Sequence, residues 1–169
     1  MEISIKSVTL FFAVVLTGLS AGLFYAWMVS VIPGTRKLID RPYLKSMQSI
    51  NREILNPAFF LIFFGSPVML GISTIQHWGV GQVYWLLLAA TVVYLLGTLG
   101  VTILGNVPLN NALDSLDLAS LQEDNLQEFR KMYEGKWNRF HFIRTVFSVV
   151  SFTLSLMGVF TQFKSVLPI

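Results

Sequence analysis

The strongest constraint on this chain is a set of four apolar runs, each about long enough to cross a bilayer. The runs cover residues 8–32, 57–76, 83–104 and 145–163, and none contains Asp, Glu, Lys, Arg or His. A helix needs about 20 apolar residues to span the hydrocarbon core. Four spans and two polar connections use the whole chain, so we expect one all-α domain over residues 1–169, an integral membrane four-helix bundle.

The composition agrees with this class and excludes others. Only 12% of the residues are charged, where a soluble domain carries about a quarter. Cysteine is absent, which excludes disulfide exchange and thiolate metal sites. The net charge of +3 comes from basic residues spread through polar loops, so we expect membrane lipids and no nucleic acid as partners.

The basic residues also predict an orientation. Ten of the twelve lie in the two long connections, and the other two, Lys6 and Lys164, flank the outermost spans. The short turn at 77–82 has neither Lys nor Arg. The positive-inside rule therefore places both long connections in the cytoplasm and both termini outside a cell membrane.

Both connections carry the pattern of amphipathic helices. In the first, Asp40 can cap a helix that Pro42 tolerates near its start, and an apolar face recurs from Tyr43 to Ile54. In the second, Ser120 and Glu123 fit a capping box, and we expect Gly135 to interrupt the helix before the fourth span.

Small residues recur four apart at Gly18 and Gly22 in the first span. This spacing lets helices approach closely in lipid. It predicts packing inside the bundle, with dimerisation through the same face as the alternative.

The two histidines argue against haem. His77 follows the second span and His141 precedes the fourth, so a span about 30 Å thick separates them. Two axial ligands of one iron need matching depth. We expect His77 to be a solvated turn residue, and we expect no metal or cofactor, since no cluster of ligand side chains lies in the spans.

Polar, mostly uncharged residues from separate segments fall at one edge of the membrane. They could be helix caps, interface anchors and headgroup contacts, or they could build a shared polar cavity, which their convergence favours. The set is Asn51 from the first connection, Asn106 and Asn110 after the third span, Trp137, Asn138, His141 and Arg144 before the fourth, with Tyr25 and Trp27 approaching from the first.

The same segments resemble the anthrone oxygenase-like family of small four-helix membrane proteins, also described as a domain of unknown function. The matching pieces run in order along nearly the whole chain, and the most specific is Gly105-Asn-Val-Pro-Leu-Asn110. The others are Ala21–Trp27 with Val31-Ile-Pro33, Met47–Asn51 with Asn56-Pro57, and the segment from Trp137 to Arg144.

The resemblance implies oxidation of anthrones to anthraquinones, and we expect the substrate to be an apolar aromatic or polyketide-like molecule dissolved in the membrane. Such a reaction needs a base, donors for an oxyanion and an apolar slot. We expect His141 to be the base, and Asn106, Asn110 and Arg144 to bind the oxyanion. Tyr25, Trp27 and Trp137 would line the slot, with Asn51 and Asn138 as further substrate-binding residues.

Two other functions remain open at this point. The chain could be a non-catalytic subunit or scaffold of a larger membrane complex, or a homo-oligomer of that kind. It could also bind a lipid or quinone. A cavity that touches Asn106, Asn110 and Trp137 would favour an enzyme or a binding protein over a scaffold.

Overall fold

In a computed structural model, which describes residues 4–164 with side chains over residues 4–162, the fold consists of five helices and no strand. Four of them are long and apolar enough to cross a membrane. The predicted all-α four-helix bundle is confirmed. In chain order the helices are α1 (Ile5–Thr35), α2 (Asp40–Glu53), α3 (Pro57–Gln76), α4 (Gly81–Asp114) and α5 (Glu123–Lys164).

The four long helices form a closed ring. Helix α1 packs on α3 and α5, and α4 packs on the other side of both. Hydroxyl groups link neighbours within the apolar interior: Ser20 bonds the phenol of Tyr94 at 2.9 Å, and Ser151 donates to the carbonyl of Ala90 at 2.8 Å. Such bonds hold helices together in lipid, where apolar burial adds little.

The two long connections fold together at one end of the bundle, here called the connection end. The opposite end, where α3 turns into α4, is the hairpin end. A buried cluster at the connection end joins α2 to the last turn of α4 and the first turns of α5. Its members are Tyr43, Leu44, Met47, Leu113, Leu118, Leu126, Tyr133 and Trp137.

Arg130 ties the first connection to α5. Its guanidinium bonds the carboxylates of Asp40 and Glu134, both at 2.9 Å, and the backbone carbonyls of Leu38 and Arg36. The same group lies 4.3 Å from the ring centre of Tyr43. Burial raises the pKa of the Tyr43 phenol above its usual range.

Several local expectations at the connections were wrong. Helix α5 runs without a break from the second connection through the fourth span, and Gly135 does not interrupt it. A Cβ placed on Gly135 would have no neighbouring atom within 4 Å, so close packing does not require a glycine at this position. The Ser120 hydroxyl donates to the carbonyl of Asp117, and Glu123 pairs with Arg41 instead of closing a capping box.

At the start of α2, Asp40 is the first helical residue, and its side chain bonds Arg130. The cap position belongs to Ile39, so Asp40 is not the cap. Asn56, in contrast, does cap α3, since its Oδ1 accepts from the backbone N–H of Phe59 at 3.0 Å.

The histidine at the hairpin end was also misjudged. His77 is only 2% exposed, and its Nδ1 lies 2.7 Å from the carbonyl oxygen of Ser73. It continues the buried stripe of α3 formed by Leu70, Ser73 and Thr74, at spacings of three and four. The helical stripe, and not the turn that follows it, sets the environment of this side chain.

Two helices include wider π-helical turns, which lie between the middle of the bundle and the connection end. They occupy Trp27–Val31 in α1, and Tyr94–Gly100 and Thr102–Asn106 in α4. As a result, α4 continues past Pro108 to Asp114, and the Asn-x-Pro-Leu-Asn segment lies on a helix instead of after its end. Turns of this kind are frequent at functional sites.

Glycines set the distance between α4 and α5. A Cβ placed on Gly97 would lie 2.0 Å from Cγ of Phe147, and one on Gly105 would lie 2.6 Å from the Phe140 ring. Gly18 similarly meets Phe152 of α5 at 3.0 Å, whereas nothing approaches Gly22. The contact at Gly18 supports the expected packing inside the bundle.

We predict that Gly97→Ala destabilises the bundle by about 1–3 kcal/mol, the usual cost of overpacking a core. The Cβ of Phe147 itself lies 2.5 Å from the new methyl group, so turning the ring gives no relief and the helices must separate. Thermal unfolding in detergent measures the effect. Gly71→Ala in α3, where no atom lies near the added methyl, is the matched control and should keep or raise the melting temperature.

Candidate functional site

A cavity of about 150 Å³ lies within the bundle near the connection end. It is lined by residues of all five helices, mostly apolar and aromatic, with a small polar group at one side. An engineered cavity of about this volume holds benzene in another protein. The lining includes Phe24, Trp27, Asn51, Phe59, Phe63, Thr102, Asn110, Trp137, His141 and Arg144.

The most unusual group in this lining is the guanidinium of Arg144. The side chain is buried, with 8% of the residue exposed, and none of the ion pairs found among residues 4–162 includes it. A buried charge costs several kcal/mol unless hydrogen bonds or an opposite charge offset the loss of water. The cation is held instead by neutral groups.

His141 is the main holder of Arg144. The guanidinium donates from Nε at 3.1 Å and from Nη2 at 2.9 Å to Nδ1 of this histidine. Arginine has no acceptor atom, so Nδ1 must be the unprotonated nitrogen. The proton is then on Nε2, which donates to the carbonyl oxygen of Phe24 at 3.1 Å. His141 is thus a neutral link between α1 and the cation.

Thr102 and two rings complete the setting of the guanidinium. Nη1 of Arg144 reaches Oγ1 of Thr102 at 3.4 Å. The Cζ atom lies 4.6 Å from the Phe24 ring centre and 5.3 Å from that of Trp137, within the range of cation–π attraction. These contacts use only part of the five N–H donors of arginine. The remaining donors are available to a ligand.

An aromatic wall adjoins the cation. The rings of Trp137 and His141 stack in parallel at 5.1 Å, and Trp27 lies 6.1 Å from Trp137 and 6.4 Å from His141. The indole Nε1 of Trp27 is buried and bonds no acceptor among the described residues. The site therefore presents a cation and an unused N–H donor beside flat apolar surfaces.

Three asparagines hydrogen-bond to the aromatic wall or to the tyrosine next to it. Oδ1 of Asn110 accepts from the indole N–H of Trp137 at 2.7 Å, and Asn51 donates to the phenol of Tyr133 at 3.1 Å. Asn106 is fully buried behind the wall and donates to the backbone carbonyl of Trp137 at 3.2 Å. Its Oδ1 accepts no bond from the described residues.

Six of the nine residues proposed from the sequence line the cavity: Trp27, Asn51, Asn110, Trp137, His141 and Arg144. Asn106 supports the site from behind. Tyr25 does not belong to it, because the side chain is 54% exposed on the outer face of α1. Asn138 is half-buried and is not among the lining residues. Each follows a lining or supporting residue by one position, which turns its side chain by about 100°.

Sequence reasoning missed the apolar half of the lining. Phe59 and Phe63 stack at 5.1 Å on the α3 side, and Phe24 lies between them and Arg144. The available signal was the concentration of four phenylalanines directly after Asn56-Pro57, with two pairs one helical turn apart. Thr102 gave no comparable signal.

No group of three or more His, Asp or Glu side chains that could hold a metal ion occurs in the described part of the chain. The prediction that the protein uses no cofactor stays a prediction. Among the described residues that line the cavity, the one charged group, the guanidinium of Arg144, is a hydrogen-bond donor and suits a ligand oxygen.

We predict that Asn110→Leu lowers stability by about 1–3 kcal/mol, because the buried indole N–H of Trp137 would lose its acceptor. Thermal unfolding in detergent is the measurement. Asn111→Leu, next to it on the exposed face of α4, is the matched control and should change little. Equal melting temperatures for the two variants would show that the bond to Trp137 contributes nothing.

A comparison with protein families identifies one family for this chain. The family model described as anthrone oxygenase matches residues 54–154, more than half of the chain, including Asn106, Asn110, Trp137, His141 and Arg144. No curated protein and no solved structure matches the chain. On the extent of the family match, this four-span chain belongs to the anthrone oxygenase family.

Proposed function

We propose that the protein is a cofactor-independent oxygenase that oxidises an aromatic, polyketide-like substrate at the cavity beside Arg144. The observation that carries the proposal is a buried cation at the edge of an aromatic slot, with no carboxylate partner in the described part of the chain. Such a cation favours a ligand that bears or develops negative charge on oxygen. Membership in the anthrone oxygenase family supports the same class of substrate.

The reaction proposed for an anthrone consumes one O₂ and yields one anthraquinone and one water. Loss of a proton from the methylene carbon gives an enolate whose oxygen accepts from Arg144. The electron-rich enolate passes an electron to O₂, and the radicals combine into a carbon–oxygen bond. The peroxide anion formed in this way takes up one proton, which replaces the proton lost from the methylene carbon. The hydroperoxide then loses the remaining hydrogen of that carbon as its O–O bond breaks, which releases water and leaves the second carbonyl.

The cavity supplies three conditions for this sequence. Phe59, Phe63 and Trp27 offer flat apolar surfaces, and Arg144 offers a fixed charge that needs no rearrangement when the oxyanion forms. Burial excludes water and strengthens this attraction.

His141 has little freedom to accept a proton in the arrangement seen here. Both of its ring nitrogens already have partners, and a proton on Nδ1 would face the guanidinium at 2.9 Å. We infer that His141 chiefly positions Arg144, and that it can act as the base only after the guanidinium turns its bonds from Nδ1 to the substrate oxygen.

A quinone- or lipid-binding role is the second candidate. The same observation on His141 favours it, because a site with donors and no free proton acceptor can hold a carbonyl oxygen without further chemistry. A scaffold within a larger complex or a homo-oligomer is less well supported, since a cavity at Asn110 and Trp137 serves no purpose in packing alone.

We expect purified protein incubated with an anthrone and O₂ to form the quinone, followed by its absorbance. Arg144→Gln should slow turnover about 100-fold or more, the usual cost of losing an oxyanion donor. Arg139→Gln, at an exposed position of the same helix, is the matched control and should retain activity. Treatment with chelators should leave the rate unchanged.

Two variants in the same assay distinguish the two possible roles of His141, positioning of Arg144 and proton abstraction. His141→Asn places an oxygen acceptor near the position of Nδ1, whereas His141→Leu offers none. Recovery of activity in the asparagine variant alone would support positioning. Loss of activity in both, together with loss of a rate increase with pH, would support the base. Quinone binding without turnover in the wild type would favour the second candidate function.

We further propose that the protein lies in the plasma membrane or inner membrane of a cell, with the connection end facing the cytoplasm. The basic residues in both connections support this orientation. Single cysteines at Ser120 and Gln82, both exposed, report the two sides. An impermeant thiol reagent applied to intact cells should label the cysteine at 82 and spare the one at 120. The opposite labelling would reverse the orientation.

A further inference from the structure

We propose that the ligand of this cavity enters from the bilayer, through a lateral opening between α3 and α4, and is therefore a membrane-dissolved molecule that is uncharged on entry. The inference rests on the proposed function for the chemistry of the ligand. The opening itself follows from the packing of the two helices and from the exposure of the cavity lining.

Helices α3 and α4 pack at the hairpin end and separate toward the connection end. Near the hairpin, the hydroxyls of Thr74 and Thr91 bond at 3.0 Å. Midway, the phenol of Tyr94 still donates to the carbonyl of Phe63 at 3.1 Å. Beyond this point the Thr102–Asn106 segment of α4 packs mainly on α5. A gap between α3 and α4 is left at the level of the cavity.

The residues at the edge of this gap are apolar and exposed, although they line the cavity. They are between 39% and 64% exposed, which distinguishes them from the buried inner lining. They come from both sides of the gap and from the segment above it: Phe60 and Phe64 on α3, Ile103 and Val107 on α4, and Leu55 before α3.

The depth of the edge places it against lipid. Phe64 follows Pro57, the first residue of α3, by about two helical turns, or about 10 Å along the axis. Hydrocarbon surrounds a spanning helix at that depth. An opening lined by phenylalanine, isoleucine and valine at this level admits apolar molecules and offers no partner to a solvated ion.

The route from water is closed by the packing at the connection end. The bonds from Asn51 to Tyr133 and from Trp137 to Asn110 link α2, α4 and α5 directly above the site. Trp137 and Tyr133 are buried in the cluster of that end. The lateral gap and the closed end together predict a ligand that partitions into the bilayer, enters as a neutral molecule and becomes charged only beside Arg144.

A fluorescence experiment tests the opening without any ligand. Trp78→Phe and Trp85→Phe remove the two exposed indoles at the hairpin end, so that emission comes from Trp27 and Trp137 at the cavity. In liposomes whose phospholipids carry bromine on the acyl chains, chains that enter the gap should quench this emission. Adding Ile103→Phe with Val107→Phe should fill the gap and remove most of the quenching.

The matched control adds phenylalanine to the same helix away from the gap. Leu96 and Leu104 are strongly exposed and do not line the cavity, so Leu96→Phe with Leu104→Phe should leave the quenching intact. Equal quenching in the blocked and control proteins would overturn the lateral opening. If the blocked protein failed to fold, Ile103→Phe alone against Leu104→Phe alone would make the same comparison.

Turnover distinguishes failure of the opening from failure of the proposed function. With an anthrone supplied in liposomes, the blocked protein should form quinone several-fold more slowly than the control. Wild-type turnover that depends on Arg144 but ignores the block would overturn the opening and leave the oxygenase proposal standing. Loss of quenching in the blocked protein without turnover in the wild type would uphold the opening and reject the oxygenase.

Discussion

The charge of Arg144 has to be accommodated within a bundle that otherwise excludes charge from its spans. The solution uses a neutral histidine, a threonine and two rings, drawn from α1, α4 and α5. Each of these contacts requires its helix to lie close, and the glycines at 97 and 105 permit that approach between α4 and α5. The position of the cation therefore depends on how the helices pack at the connection end of the bundle.

A carboxylate would have been the simpler partner for this guanidinium. Because a neutral histidine takes that place, the positive charge has no carboxylate partner among residues 4–162. An anion formed at the cavity would provide a counter-charge, and its attraction to the cation would be greater in this dry surrounding than in water. The arrangement therefore suits the oxyanion that forms in the proposed reaction.

The bundle was predictable from the sequence because spanning helices must satisfy every backbone group internally, which leaves a clear record of long apolar runs. The level of the site was predictable for a similar reason, since His141, Arg144 and the asparagines interrupt that record at one edge. The direction in which each side chain points around its helix axis was not predictable. Tyr25 and Asn138 therefore lie outside the cavity lining, although each follows a lining residue by one position.

Local rules misled where tertiary contacts outweighed them. Gly135 reads as a helix breaker, yet Tyr133 and Trp137 on either side of it are anchored in the cluster at the connection end, and the helix continues. The sequence predicts capping roles for Asp40 and Glu123, but arginine side chains from other segments bind their carboxylates instead. The burial of Arg144 within the bundle was not predicted, because the fourth apolar run was counted from residue 145.

The wide π-helical turns of α4 have a consequence for how this chain can vary. Asn106 and Asn110 reach Trp137 only if the helix has accumulated the correct rotation by the time it passes Gly100. Each residue of a π-helical segment turns the chain by less than the ~100° of a regular α-helix, so a regular α-helix through Tyr94–Gly100 would rotate every later side chain of α4 about the axis. A chain of the same length and hydropathy that formed a regular α-helix at these positions would still cross the membrane four times but would turn both asparagines away from Trp137.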